Sequence, residues 1–139
     1  MSTPVALVPT KAHVRRAGYI KHRLNAMSLI EIIGGGVFTI YTVPVGFTAV
    51  ITEVFLECTT ATGISAPATA GVGIAGGEDD IFVSVPLTGF LNVGQVWPFV
   101  LGTSLSRNAP AGSAIKLGID VAPTGTSQII TAHVLGILY

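Results

Sequence analysis

Charged residues are scarce in this 139-residue sequence, where Lys, Arg, Asp and Glu together make up 10% of the chain, against about 25% in a typical soluble domain. A monomer with so few charges would expose broad apolar patches to water, and such patches usually mark interaction surfaces. We therefore expect the chain to work as an oligomer, because subunit contacts would remove much of that apolar surface from water.

Long apolar runs suited to a membrane-spanning helix are also missing. The uncharged stretches at residues 32–52, 58–77 and 81–106 are broken by glycine and proline or diluted by threonine and serine. None of them has the composition of a spanning helix. We therefore expect no membrane partner.

Residue types that carry catalysis or bind metals are equally few. The single cysteine, Cys58, excludes an internal disulfide and a cysteine-based zinc site, and no two of the three histidines stand at ligand spacing. No G-x-S-x-G motif marks a nucleophilic serine. Glu53 and Glu57 are predicted to share one face of a strand, but about 13 Å along that strand exceeds the separation that glycoside hydrolysis requires. We predict that the chain is not an enzyme.

A glycine pattern in the middle of the chain resembles a nucleotide-binding motif without its context. Gly71, Gly73 and Gly76 match G-x-G-x-x-G, but no helix pattern follows to present its N-terminus to a phosphate. Three carboxylates follow instead, and they would repel a pyrophosphate. We predict no cofactor, and we interpret these adjacent acidic residues as either a solvated loop or a docking loop for a neighbour's basic arm, in preference to a metal site: Glu78, Asp79 and Asp80.

The charges that are present are divided between the two parts of the chain. Residues 1–23 contain five of the seven basic residues and no acidic one, and residues 24–139 contain two basic and all seven acidic residues. This division predicts a basic tail that lies on an acidic partner, which could be nucleic acid, another protein or a neighbouring copy of the chain. The predicted partner-binding residues are Lys11, Arg15, Arg16, Lys21 and Arg23.

The pattern divides the chain into an N-terminal arm, residues 1–27, and a β-sandwich domain, residues 28–139. In the arm, Ala17, Ile20, Leu24 and Met27 recur at helical spacing, which favours a short amphipathic helix. Gly18 within the same segment disfavours that helix. The arm is therefore predicted to be either partly helical or extended until it meets its partner.

Residues 37–43 and 47–58 are predicted to be two strands joined by a tight turn. Both are rich in β-branched and aromatic residues. Between them, Pro44 presets one backbone angle and Gly46 permits a positive one, which is the chemistry of a tight turn. The pairing predicted from this arrangement is a β-hairpin.

The alternation of the second strand changes phase along its length. Phe47, Ala49 and Ile51 occupy alternate positions, whereas the next apolar set begins at Val54. A β-bulge near Thr52 or Glu53 would produce this slip, and would turn Glu53 and Glu57 to the same face as Phe55.

Further short strands are predicted in the rest of the chain. The clearest is 114–122, where Ile115, Leu117, Ile119 and Val121 should face the core, and a closing strand should cover 127–139 with His133 facing the core or an interface. Residues 59–80 are predicted to be a long loop with one short strand at 72–75. Seven or eight short strands at this spacing predict a β-sandwich of Greek-key or jelly-roll type, with additional strands at 81–85 and 94–101.

The segment YTVPVGFTAVITEV (41–54) and the closing segments SAIKLGIDVA and VLGILY resemble small virion proteins of tailed bacteriophages, most of all capsid decoration, or cement, proteins. The resemblance implies a β-sandwich or jelly-roll module, commonly a homotrimer, that sits on the outside of the head. It also implies an N-terminal arm that grips the major capsid protein and neighbouring copies. The expected location is the capsid surface of the virion, assembled in the host cytoplasm.

Two other functions are compatible with a small β-sandwich. A receptor- or carbohydrate-binding module of a fibre or spike would use the loop at 59–80, although that segment has no aromatic residue to line a cleft. A small jelly-roll shell protein would place its basic arm on packaged nucleic acid, although five cations are few for that purpose. We therefore expect a protein partner and no nucleic acid.

Overall fold

The computed structural model describes residues 22–74, 81–99 and 108–139. These residues contain strands and turns and no helix. The nine strands found in them are β1 (His22–Glu31), β2 (Gly36–Thr42), β3 (Ala49–Thr62), β4 (Thr69–Gly73), β5 (Phe82–Pro86), β6 (Val96–Pro98), β7 (Asn108–Ala109), β8 (Ala114–Val121) and β9 (Ser127–Leu138).

The strands form two antiparallel sheets. The first sheet has the order β1-β9-β3-β6, with β7 also paired to β3, and the second has the order β2-β8-β4-β5. The first and last strands are therefore neighbours in one sheet, and the second and second-to-last are neighbours in the other. This is the order of a jelly roll in which β6 and β7 both pair with β3 and together form the edge strand. The predicted β-sandwich is confirmed.

The hydrophobic core lies between the two sheets. Alternate residues of β3 and β9 point into it, so that Ile51, Val54, Ile130 and Val134 are fully buried. The rings of Phe82, in β5, and Phe99, directly after β6, lie 5.7 Å apart, from centroid to centroid. The inward faces of both sheets are thus closed, and their outward faces remain for contact with solvent or a partner.

The predicted hairpin is wrong in its pairing, although its turn is confirmed. The amide of Phe47 donates a 3.2 Å hydrogen bond to the carbonyl of Pro44, and Gly46 has a φ of 90°. However, β2 lies in the second sheet and β3 in the first. The turn therefore carries the chain from one sheet to the other. The local sequence of such a turn does not show whether the strand after it pairs with the strand before it or lies in the opposite sheet.

The bulge predicted near Thr52 is confirmed. The register between β3 and β9 shifts between Ile51 and Glu53. Beyond the shift, Val54 points into the core, and Glu53, Phe55 and Glu57 share the outer face. The bulge thus sets which side chains the first sheet presents outward.

Two other predictions need correction. The segment 59–80 is not one long loop, because β3 continues to Thr62 and β4 occupies Thr69–Gly73. Their threonine and glycine content resembles a loop in composition, but the neighbouring strands supply the pairing. On β8, Val121 does not face the core and is 56% exposed, because β8 extends past the core at its C-terminal end.

Residues 22–27, predicted to belong to the arm, form the first half of β1. This strand pairs with β9 over its whole length, from His22 opposite Leu138 to Glu31 opposite Ile129. Leu24 is buried, whereas Met27 is 67% exposed, as alternation along a strand requires. Residues 22–27 are therefore strand and not helix, and the first sheet begins before Ser28.

The pairing of β9 with β3 leaves no room for a side chain at Gly136. A Cβ built there would overlap the carbonyl oxygen of Val50 and press on Ile51. Gly136 pairs with Ile51 at the residue where the bulge begins. A glycine inside a strand is thus explained by the close approach of two backbones.

Glu31 fastens the opposite end of the first sheet. Its carboxylate accepts hydrogen bonds from the backbone amides of Gln128 at 2.9 Å and Ile33 at 3.1 Å, and from the Ser127 hydroxyl at 2.5 Å. Partial burial raises the pKa of Glu31, but the hydrogen bonds from Ser127 and the backbone outweigh it, so the pKa lies below its ordinary value.

Gly136→Ala should destabilise the fold by about 2–3 kcal/mol, because the added methyl meets backbone that no rotamer change can move. Urea unfolding followed by circular dichroism measures this loss. The matched control is Gly34→Ala, since a Cβ at Gly34 meets nothing within 4 Å. Equal stability of the two variants would show that β3 and β9 can separate at this point without cost.

Glu31→Gln should lower stability at neutral pH and have little effect in acid. The folded chain holds the Glu31 carboxylate ionised at a pKa below the unfolded value of about 4.3, so its contribution is complete above that value and is lost as pH falls through the folded pKa. Urea unfolding at pH 7 and at pH 3 gives the two differences between variant and native chain. A difference that does not shrink in acid would contradict the role given to the ionised carboxylate.

Candidate assembly surface

The outer face of the first sheet is the surface on which the candidate site lies. Every second residue of its strands points away from the core because of the strand pleat. We call this surface the outer face, and its members on the long strands are Arg23, Asn25, Met27, Leu29 and Glu31 of β1, Ile129, Thr131, His133, Leu135 and Ile137 of β9, and Val50, Glu53, Phe55 and Glu57 of β3.

Much of the outer face is apolar and open to water. Met27 is 67% exposed and Leu29 is 71% exposed, and Val96 on β6 is 53% exposed. Strand register places these residues near one another, since Leu29 lies opposite Thr131, Thr131 opposite Glu57, and Glu57 opposite Val96. Thr131 and Glu57 therefore separate Val96 from Leu29, and large apolar side chains exposed on one face are typical of an interface.

An aromatic stack lies in the middle of the outer face. The rings of Phe55 and His133 lie 4.3 Å apart and are inclined by 10°. His133 Nε2 is 3.4 Å from the Glu57 Oε1 atom. Stacking fixes the His133 ring on Phe55, and the Glu57 carboxylate is held at its edge.

The position of His133 resolves the two alternatives predicted for it. Ile129, Leu135 and Ile137 do share its face, but that face is the outer one, and the core side of β9 is formed by the intervening residues. The core alternative is therefore wrong. The apolar alternation was correct, but β9 is apolar on both faces, so the pattern did not show which side is buried.

The charges on the outer face are mainly acidic. Among the residues that the structure describes, Glu31, Glu53 and Glu57 lie on it, against one cation, Arg23, at the end where β1 begins. Glu31 is occupied by backbone amides. Within the part of the chain that the structure describes, Glu53 has no ion pair or side-chain hydrogen bond and is exposed, so its carboxylate is available to a partner.

A depression of about 460 Å³ interrupts the outer face beside Gly136. It lies where the register between β3 and β9 shifts, between Ile51 and Glu53. The depression lies between the acidic part of the face and Arg23, and its side-chain lining includes Arg23, Asn25, Thr52, Leu135 and Ile137.

The outer face of the second sheet has a different character. Its central strand β8 presents Lys116, Gly118 and Asp120, whose two charges cancel. The Ser84 hydroxyl donates a hydrogen bond to Asp120. This face therefore lacks the net negative charge of the first, although Val37 of β2, opposite Gly118, exposes an apolar side chain on it.

Of the partner-binding residues predicted from the sequence, the structure describes Arg23, which lies exposed on β1. The other four basic residues of the arm and the acidic docking loop lie outside the described residues: Lys11, Arg15, Arg16, Lys21, Glu78, Asp79 and Asp80. The sequence analysis assigned Met27 to a helix face and did not single out Leu29, although their alternation with Leu24 and Ile30 would have indicated a strand with two apolar faces.

Among residues 22–74, 81–99 and 108–139, no three His, Cys, Asp or Glu side chains are grouped so that they could hold a metal ion. In the same ranges, no helix is long and apolar enough to cross a membrane.

No model of a known protein family matches the sequence, and no curated protein matches it. Solved structures do match the fold. A chain of the cyanophage Pam1 capsid asymmetric unit superposes with a TM-score of 0.61 at 18% identity, covering 88% of this chain and 89% of that one.

Two further matches come from other phages. A chain of the acidic stable capsid structure of Helicobacter pylori bacteriophage KHP30 gives a TM-score of 0.56 at 12% identity, covering 86% of this chain and 97% of that one. A chain of the capsid of Ralstonia phage GP4 gives 0.55 at 12% identity, covering 85% and 84%. At these identities the likeness establishes the fold: this chain has a β-sandwich fold that also occurs in the capsids of three phages.

Proposed function

We propose that this chain is a structural virion protein of a bacteriophage, which binds the outer surface of the capsid as an oligomer and stabilises it. The observation that carries the proposal is the likeness of its fold to chains of three phage capsids, over more than four fifths of each chain compared. The proposed role is structural and needs no catalytic residue.

The surface of the domain supports assembly. Met27, Leu29 and Val96 expose apolar side chains on one face, and the chain as a whole has too few charges to keep such a surface in water without cost. Burial of apolar surface stabilises contacts by about 25 cal/mol per Å². We propose that copies of the chain meet one another and the major capsid protein, and that the oligomer is a homotrimer.

The basic arm is proposed to be the clamp of this assembly. Four of the five cations of the arm precede His22, the first residue of β1. The cations Lys11, Arg15, Arg16 and Lys21 would then lie on acidic surface of the capsid or of a neighbouring copy, where opposite charges steer the docking and fix its register.

Deletion of residues 1–21 should abolish attachment to capsids that lack this protein, while the β-sandwich remains folded. Attachment is measured by co-sedimentation of the purified chain with the capsids, and folding by circular dichroism and thermal unfolding. The expected loss reflects removal of all four cations that precede β1.

The matched control is deletion of residues 1–10, a segment without charged residues. This variant keeps the cations and should attach nearly as well as the full chain. Full attachment of the chain lacking residues 1–21 would contradict the clamp. Failure of the full chain itself to bind capsids would contradict the proposed function as a whole.

A further inference from the structure

We propose that the outer face of the first sheet is the docking site for the basic segment of a neighbouring copy of this chain, residues 11–21. The inference rests on the proposed function and names the receptor of the clamp. Its occupant is a peptide segment rich in cations and carrying apolar side chains, and its receptor residues are the carboxylates of Glu53 and Glu57 on β3 with the exposed apolar residues around them.

The outer face and the segment carry opposite charges. Glu53 is exposed and has no partner among the described side chains, and Glu57 is 46% exposed with His133 at its edge. Both lie on β3 and on the same side of the sheet. Segment 11–21 contains four cations and no acidic residue. Lys and Arg side chains on the segment would therefore find Glu53 without a described partner, and Glu57 with one oxygen in contact with His133.

Exposed apolar side chains surround these carboxylates. Met27 and Leu29 on one side of the stacked Phe55 and His133 rings, and Val96 on the other, are open to water. Between its cations the segment carries Val14, Tyr19 and Ile20. The receptor and the segment thus match in both respects, since apolar side chains can cover apolar surface while the cations reach the carboxylates.

Charge disfavours a symmetric contact between the outer faces of two copies. If two copies met outer face to outer face about a two-fold axis, the same patch would form both sides of the interface. Glu53 and Glu57 of one copy would then lie near those of the other, and like charges brought together in an interface cost free energy. A cationic occupant removes that cost, so the face suits the basic segment better than it suits a second copy of itself.

When extended, the residues that precede β1 span far enough to reach a neighbouring copy. A segment of 21 residues spans at most about 70 Å when extended, several times the radius of gyration of about 13 Å expected for a domain of this size. His22, at the start of β1, lies opposite Leu138, at the end of the face that is near Glu53 and far from Glu57. A segment of this length that precedes His22 is long enough to reach the same face of a neighbouring copy.

Cross-linking of the full chain tests this contact directly. Copies labelled with ¹⁵N and unlabelled copies are mixed and treated with a water-soluble carbodiimide, which joins an amine to a carboxylate without a spacer. We expect cross-links from Lys11 or Lys21 to Glu53 or Glu57 that join a labelled peptide to an unlabelled one.

Cross-links that join only peptides of the same label would show that the segment covers its own domain, and would overturn the inference. Cross-links that lead instead to Glu78, Asp79 or Asp80 would overturn it in favour of the acidic loop as the receptor. Both results leave binding of the oligomer to the capsid untouched, because that binding is measured by co-sedimentation.

Charge reversal provides a second test in the full chain. The double variant Glu53→Lys with Glu57→Lys should weaken self-association in sedimentation velocity by about tenfold or more at low salt, because attraction becomes repulsion. Reversal of the segment, with Lys11, Arg15, Arg16 and Lys21 each changed to Glu, should weaken it likewise. Combining the two reversals in one chain should restore association.

The control is Asp120→Lys, which makes an equal charge change for one residue on the second sheet and should leave association within about twofold of the native chain. If the Lys variants fail to fold, Glu53→Gln with Glu57→Gln gives a smaller loss in the same direction. Association that is insensitive to changes at Glu53 and Glu57, no recovery in the combined variant, or a native chain that stays monomeric at micromolar concentration would each overturn the inference.

Discussion

The backbone pairing of β9 with two neighbours is the constraint on which the rest of the first sheet depends. This strand forms hydrogen bonds with β1 along one edge and with β3 along the other. Gly136 lets β9 approach the β3 backbone more closely than any side chain would allow. With β9 fixed on both edges, the register of both neighbours is fixed, and so is the set of side chains that each presents to water.

The bulge in β3 turns that pairing into a functional surface. Without the extra residue between Ile51 and Glu53, the alternation would carry through unchanged, and the residues from Val54 onward would exchange faces. Phe55 and Glu57 would then point into the core, where a carboxylate is costly. The bulge keeps Val54 inside, and it assembles carboxylates and an aromatic stack on one exposed face. Core packing and the candidate interface are thus set by the same irregularity.

Local patterns predicted the parts of this fold that depend on neighbours in sequence. The bulge at Thr52 and the turn at Gly46 could both be predicted from the sequence, because a bulge and a tight turn follow from a few consecutive residues. The partner of β2 was not readable, since a turn of the same kind can close a hairpin or cross between sheets. The helical spacing that ends at Met27 was misleading because β1 is apolar on its exposed face as well as its buried one.

The sequence by itself determined that the chain is built of short strands, that its charges are divided between a basic segment and an acidic domain, and that it carries few residues able to do chemistry. These properties follow from composition and short-range pattern. Only the tertiary structure decided that Glu53, Glu57, His133 and Met27 share one surface, because they come from three strands far apart in sequence. Long-range pairing brings them together, and its register depends on backbone contacts that no local pattern contains.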